Sequence, residues 1–418
     1  MNIKCLIKRP FVHMECLFTK RDKNLWLFGE WFGNKVCDNS FFLANYIAEK
    51  HPEIDIYWAA NKGTDTSKLH DNIHVIDRHA PSTIKIYKSA GYVFMNQGLQ
   101  DFSDDMYNYF SGAVTVNLWH GVPWKKIMID SFDRKNMMLF QANKIFFNLN
   151  KAKYFLSLSK VFDNIYKESA RLGKRRIIHA GYPRNSLFYD DSFKIESKKR
   201  IVSQIKDANP KAIIDANTRI IAYMPTFRDS NSDVFSFNDM GASKKAEHDF
   251  YQYLRGENIV LVEKCHYVSS DRKKQSESSS DNNQKNEGAD AGDKLKMGTI
   301  VNLPNCDAAE LLAASDMLIT DYSSCFFDYL VLDRPIVHYI YDYDFYSTKD
   351  RGLYFPKEMV MCGDAAETPE ELIDAIKTNL RAPDKNKELR RRRKRQFMTF
   401  ETPNCCERIY KIVKKIKR

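Results

Sequence analysis

The side chains best able to do chemistry stand just after five short apolar runs. Val114 to Trp119 leads into His120-Gly121-Val122-Pro123-Trp124-Lys125, and Ile177 to Ala180 leads into Gly181-Tyr182-Pro183-Arg184. Ile220 to Met224 is followed by Pro225-Thr226-Phe227-Arg228, Ile259 to Val262 by Glu263-Lys264-Cys265-His266, and Met317 to Ile319 by Thr320-Asp321-Tyr322-Ser323-Ser324. An imidazole with an ordinary pKa of ~6.5 can take a proton from an attacking hydroxyl at neutral pH, and Gly121 and Pro123 would expose His120 in a tight turn. A structural, hydrogen-bonding histidine fits the same pattern. Lys125 could hold an anionic substrate, or form a solvated pair with Lys126.

The other run ends favour anions. Arg228 offers a planar fork suited to phosphate and Thr226 a hydroxyl donor, although Arg228 could equally pair with Asp229. Lys264 and His266, two apart at a strand end, would share a face, and such a pair of cation-capable groups is unfavourable unless an anion compensates. Thr320, Ser323 and Ser324 fall where a helix should begin, and hydroxyls with free backbone N–H groups there form an anion site. Plain helix capping by either serine is the alternative. Asp321 and Asp328 are unwelcome beside a phosphate unless they bind a ribose, orient a Ser or Arg, or hold a metal.

These positions need elements to carry them. Leu25 to Phe28, Ile54 to Trp58, Ile73 to Ile76 and Tyr92 to Met95 add further strand-like runs, and Asp38-Asn39-Ser40 can cap a helix over Phe41 to Lys50. Asp307 can cap another through Ala314. Strands alternating with helices imply βαβ units and a mainly parallel sheet, whose ligands sit beyond the carboxyl ends of the strands. The chain of 418 residues suggests two domains, expected at 1–205 and 206–388 because residues 190–218 are charged and a new strand set starts at Arg219. Residues 269–294 are Ser- and Asp/Asn-rich and nearly free of aliphatics, which predicts a disordered surface loop.

The net charge is +11, and residues 381–418 carry 15 Lys/Arg against 4 Asp/Glu, so residues 1–380 hold 50 of each. The tail from 389 to 418 could contact an anionic membrane surface, or be a helix with a solvated basic face. With the basic excess confined there and not interleaved with aromatics, nucleic-acid binding is not expected. Nine scattered cysteines without C-x-x-C spacing point to a reduced, cytoplasmic chain, and no residue set has diagnostic metal-ligand spacing. Neither a signal peptide nor an 18-residue apolar span is apparent. The absence of G-x-G-x-x-G, P-loop and G-x-S-x-G motifs argues against dinucleotide redox, P-loop and α/β-hydrolase chemistry.

In this order the motifs resemble the CDP-glycerol glycerophosphotransferase family of teichoic-acid and capsule polymerases, which has CDP-ribitol-using relatives. The resemblance rests on Trp119-His120-Gly121-x-Pro123-x-Lys125, Gly181-Tyr182-Pro183-Arg184, Pro225-Thr226-x-Arg228, Lys264-x-His266 and Asp316-x-Leu318-Ile319-Thr320-Asp321-Tyr322-Ser323-Ser324. Asp333-Arg334-Pro335, Asp350-Arg351-Gly352 and Gly33-Asn34-Lys35 with Asp38-Asn39 extend it over about residues 25 to 355. Ser186 stands where the family usually has Asp, and Tyr267 where Pro follows Lys-x-His. The resemblance implies an α/β, GT-B-like fold of two Rossmann-like domains facing across a cleft, here with a basic C-terminal helical tail. It also implies His120 and His266 as catalytic histidines, His120 being the general base. Thr226, Arg228, Lys264, Thr320, Asp321, Ser323, Ser324 and Asp328 would bind the CDP-glycerol or CDP-ribitol donor, and Gly121, Lys125, Asp38, Asn39 and Arg184 would lie on the acceptor side. The implied reaction moves an alditol phosphate to a polymer or lipid-linked hydroxyl and releases CMP at the inner membrane face. A nucleotide-sugar glycosyltransferase and a non-catalytic membrane scaffold are the rival readings, and the divalent-metal requirement and oligomeric state are open.

Overall fold

The computed structural model describes residues 3–104, 109–131, 152–170, 176–212, 214–215, 217–226, 235–264, 299–350 and 352–416. Arg228, His266 and the expected loop at 269–294 lie outside these residues. The chain forms two compact α/β units. One takes residues 1–123, 127–186 and 396–418, the other residues 124–126 and 187–395.

The first unit is built on a seven-stranded parallel sheet in the order β3-β2-β1-β4-β5-β6-β7. The strands are β1 (Asp22–Phe28), β2 (Asp55–Ala60), β3 (Ile73–Asp77), β4 (Ala90–Met95), β5 (Val114–Asn117), β6 (Tyr154–Ser157) and β7 (Ile177–His179). Every residue of β4 and β5 is buried, the pattern of strands covered on both faces, so they appear in sequence as continuous apolar runs rather than alternations. Asp38 caps the helix Asn39–Lys50 by accepting the N–H of Asn39, and Leu43, Ala44, Ile47 and Ala48 form its buried stripe. The helix Cys405–Lys414 packs on it and buries Cys405, Cys406, Ile409 and Val413, while the Cys406 thiol lies against the Phe42 carbonyl.

The second unit holds a six-stranded parallel sheet in the order β10-β9-β8-β11-β12-β13. These strands are β8 (Arg219–Tyr223), β9 (Ile259–Glu263), β10 (Ile300–Asn302), β11 (Met317–Thr320), β12 (Ile336–Tyr339) and β13 (Asp364–Ala366). Ile221, Tyr223, Phe250, Leu261, Ile319, Val337 and Ile376 anchor its core. Asp307 caps the helix Ala308–Ala314 by accepting the N–H groups of Ala309 and Glu310. The helix Asp191–Ala208 packs against it, with Arg200 paired to Glu310 at 2.9 Å. This helix therefore goes with the second unit, whereas the charged composition after Asp190 led to an expected boundary at 205.

The basic segment is helical, as expected, with helices at Lys387–Phe397 and Cys405–Lys414, but it is divided between the two units. Residues 389–395 belong to the second unit and 396–418 to the first. Arg390 is 1% exposed and donates from Nε to Asp333 at 3.2 Å, while Arg391 donates to the other oxygen of that carboxylate at 3.0 Å. Arg393 donates to the carbonyls of Met361 and Glu358. Their aliphatic stems and guanidinium forks let these arginines serve inside the fold, which a count of charges does not reveal. Among the described residues no helix is long and apolar enough to cross a membrane.

Candidate functional site

In the first unit β5 ends at Asn117 and the chain turns sharply through Trp119. That residue has φ +58°, a region seldom occupied by a bulky side chain, so its surroundings must hold it. The Asn117 side chain accepts the Trp119 N–H at 2.8 Å, and the Trp119 carbonyl accepts from Asn39 Nδ2 at 2.9 Å. One residue later the His120 carbonyl accepts from the Arg184 guanidinium at 2.9 Å. Arg184 also donates to Asp38 at 2.8 Å, and its backbone N–H to Asn39 Oδ1 at 3.2 Å. The first turn of the helix Asn39–Lys50 and the loop after β7 thus fix the backbone of the His120 turn. The imidazole itself is half-buried, 4.3 Å from the Trp119 ring and 6.3 Å from the Trp31 ring between centroids.

His120, Gly121, Asp38, Asn39 and Arg184, separated in sequence, therefore lie together. Residues 124–126 form part of the second unit, where Lys125 bridges to Leu353 and Trp124 donates to the Phe355 carbonyl at 2.9 Å.

Two carboxylates of this region were missed. Glu30, fully buried after β1, accepts the N–H groups of Cys37 and Asp38 at 2.6 and 2.9 Å and that of Phe41 at 3.3 Å. Burial and then the nearby Asp38 charge push it well above the usual carboxylate range. Asp101 accepts the N–H groups of Phe32, Asn96 and Gln97 at 2.9 to 3.0 Å, yet burial pushes it up to about 6. Glu30 follows the apolar run of β1 just as His120 follows that of β5, so attention to strand ends could have found it. Asp101 carries no such signal.

In the second unit, Asp321 closes the end of β11 onto the end of β8. Its carboxylate accepts the N–H of Thr226 at 2.8 Å and that of Tyr322 at 2.6 Å. The Thr320 hydroxyl donates to the Met224 carbonyl at 2.7 Å. Thr226, Thr320, Asp321 and Asp328 are all buried, Asp328 within the helix that follows, and Ser323 and Ser324 are the partly exposed hydroxyls of the segment. Ser324 precedes the five-residue helix Cys325–Tyr329 without a side-chain capping bond. After β9, Lys264 donates to the Pro304 carbonyl at 2.9 Å. His338, in register with Thr320 on β12, is fully buried, and Nε2 accepts the Cys362 N–H at 3.3 Å. Burial pushes it down to about 4, which keeps it neutral. No group of three or more His, Cys, Asp or Glu that could hold a metal occurs among the described residues.

A half-buried imidazole on a fixed turn can exchange a proton, and partly exposed hydroxyls and a lysine beyond parallel strands can meet an anion. The family model of the CDP-glycerol:poly(glycerophosphate) glycerophosphotransferases matches residues 11–415. The teichoic acid glycerol-phosphate transferase of Staphylococcus aureus (strain NCTC 8325 / PS 47) is 26% identical over 390 residues, 90% of this chain and 89% of that protein. The teichoic acid poly(glycerol phosphate) polymerase of Bacillus subtilis (strain 168) is 28% identical over 366 residues, 86% of this chain but 44% of that longer protein. The solved structure of the wall teichoic acid polymerase TagF superposes with a TM-score of 0.72 at 20% identity, covering 98% of this chain and 94% of that one, which establishes a shared GT-B-like fold. With its motif order, its two parallel-sheet units and a match that runs nearly end to end, this chain belongs to the CDP-glycerol:poly(glycerophosphate) glycerophosphotransferase family.

Proposed function

We propose that this enzyme transfers glycerol phosphate from CDP-glycerol to a terminal hydroxyl of a glycerol-phosphate polymer or its lipid-linked primer. The acceptor oxygen attacks the phosphorus that bears glycerol, the bond from that phosphorus to the bridging oxygen breaks, and CMP leaves with the electron pair. His120 takes the hydroxyl proton. In the second unit Ser323, Ser324 and Lys264, with Arg228 and His266, bind the pyrophosphate, while Thr226, Thr320 and Asp321 hold the strand ends in shape. Catalysis of this kind depends on positioning and charge stabilisation. The observation that carries the reading is the His120 turn, held by Arg184, Asp38 and Asn39 in a chain that matches the family over residues 11–415.

Incubation with CDP-glycerol and a glycerol-phosphate acceptor should release CMP and lengthen the acceptor. Release of CDP or UDP from a nucleotide sugar, with no CMP from CDP-glycerol or CDP-ribitol, would replace this reading by glycosyl transfer.

The same reading places the protein peripherally on the inner face of the cell membrane. The helix Ile3–Phe18 supports that location better than the basic tail, whose arginines at 390, 391 and 393 bind the protein itself. Phe11, Met14, Leu17 and Phe18 are 70%, 56%, 52% and 85% exposed, and exposed lysines at 8 and 20 flank them. An apolar stripe bordered by cations suits an interfacial helix on an anionic leaflet.

A further inference from the structure

The first unit carries a groove of about 660 Å³ for which the transfer step described above has no use. It lies along the helix Cys405–Lys414 and is lined by Tyr46, Glu407, Arg408, Lys411, Ile412 and Lys415, among others. The buried side of this helix is apolar, and its exposed residues include Arg408, Lys411, Lys414 and Lys415. Arg408, Lys411 and Lys415 recur at the spacing of one helix face, separated along the axis by about 4.5 and about 6 Å. They form a row rather than a cluster. A row suits a chain of anions better than one compact anion.

Among the described residues Glu407 is the only acidic group lining the groove, and it is engaged from several sides. Tyr46 donates to it at 2.6 Å, Lys411 pairs with it at 2.9 Å, and His51 stands 3.6 Å away. Three cations therefore face one carboxylate, and the balance stays positive.

The groove is built into the framework that holds His120. Tyr46 belongs to the helix Asn39–Lys50, whose first turn holds Arg184 and the Trp119 carbonyl, and it lies about 10 Å along the axis from Asn39. From the opposite side Glu401 accepts the N–H of Tyr182 at 3.1 Å and Asn185 Nδ2 at 3.0 Å, and the Cys405 thiol donates to the Tyr182 carbonyl at 3.4 Å. A Cβ at Gly181 would meet Glu401 Oε1 at 2.7 Å and Cys405 Cβ at 3.1 Å, so a larger residue there would displace the Glu401 carboxylate. The segment 401–415 is thus fastened directly to the loop that carries Arg184.

We propose that this groove is a track for a linear phosphodiester polymer, where the already-made part of the acceptor lies while its end is extended. The polymer identity rests on the function proposed above; the polyanion chemistry rests on the groove alone. Successive phosphates separated by a three-carbon polyol would meet successive cations of the row, and Ile412 would lie against the linkers.

The test uses the full chain and the triple variant Arg408→Gln, Lys411→Gln, Lys415→Gln, with binding read by anisotropy of a fluorophore-labelled glycerol-phosphate oligomer. The variant should bind about tenfold or more weakly, and its slope of log affinity against log salt should shrink by about two, as expected for three lost phosphate contacts. Its KM should rise for a long acceptor at unchanged kcat, with no change for a single glycerol-phosphate acceptor. Oligomer affinity within about twofold of the parent in a variant of unchanged melting temperature would overturn the proposal. So would orthophosphate competing as well as the oligomer at equal phosphate, or a variant that loses binding to phosphatidylglycerol vesicles while keeping the oligomer. If the parent releases no CMP from CDP-glycerol, the functional reading fails while the anisotropy still reports on the track.

Discussion

Replacing Arg184 by alanine leaves the Asp38 carboxylate, 6% exposed, without its cation and the His120 carbonyl without its donor. Breaking one side of a buried pair typically costs ~3–5 kcal/mol, so Arg184→Ala should lower the melting temperature as well as turnover. Arg184→Lys restores the charge but cannot reach Asp38 and the carbonyl with one rigid fork. It should keep most of the stability and lower kcat by about tenfold or more, measured as CMP release at saturating donor. His120→Ala should remove most turnover and leave CDP-glycerol binding by calorimetry unchanged; a near-normal rate would exclude His120 as the base. Asp101 gives a separate pH signature. Its carboxyl is pushed from an ordinary 3.8 up to about 6, so between those values the unfolded chain gives up its proton first and this group's contribution to stability falls as pH rises. Asp101→Asn should remove that fall from the melting-temperature profile. His338, pushed from 6.5 down to about 4, has the opposite sign: the unfolded chain gains the proton first as pH falls, so stability is lost on acidification through that window. His338→Gln should flatten it.

At the scale of elements, the helix Ile3–Phe18 presents exposed apolar residues that no motif marks. Phe11→Ser with Phe18→Ser removes its two most exposed aromatics, and vesicle binding should drop about tenfold while transfer to a soluble acceptor is retained. Unchanged cosedimentation with anionic vesicles would overturn the membrane role proposed for this helix. Much of the framework was legible because parallel strands buried on both faces leave uninterrupted apolar runs. The ends of β5, β7, β8, β9 and β11 appear where those runs stop, and the caps at Asp38 and Asp307 are as their side chains imply. What was not legible is how polar side chains are used. The Thr320 hydroxyl binds the Met224 carbonyl, Asp321 stitches two strand ends, and Arg390 lies at 1% exposure on Asp333. Each of these depends on partners tens of residues away, which local pattern does not encode. Periodicity cannot mark β6, β10 and β13, of three or four residues, and they lack the polar motifs that mark the equally short β5, β7 and β11.

For the whole molecule, the division into units does not follow the order of the chain. The backbone passes between them after Pro123, Lys126, Ser186 and Arg395. The helix Cys405–Lys414 covers the helix Asn39–Lys50 with Cys405, Cys406, Ile409 and Val413, yet it emerges from the ribosome about 220 residues after Ser186. At ordinary translation speeds that interval is roughly 10–40 s. Throughout it the nascent first unit presents an uncovered apolar seam, and the whole second unit is made before the seam can be sealed. A chain stopped at Arg395 should therefore aggregate or remain bound to chaperones, and adding residues 396–418 as a separate peptide should recover soluble material. Synthesis of this protein thus has a built-in delay, with the exposure falling on the helix Asn39–Lys50, whose first turn holds the His120 loop.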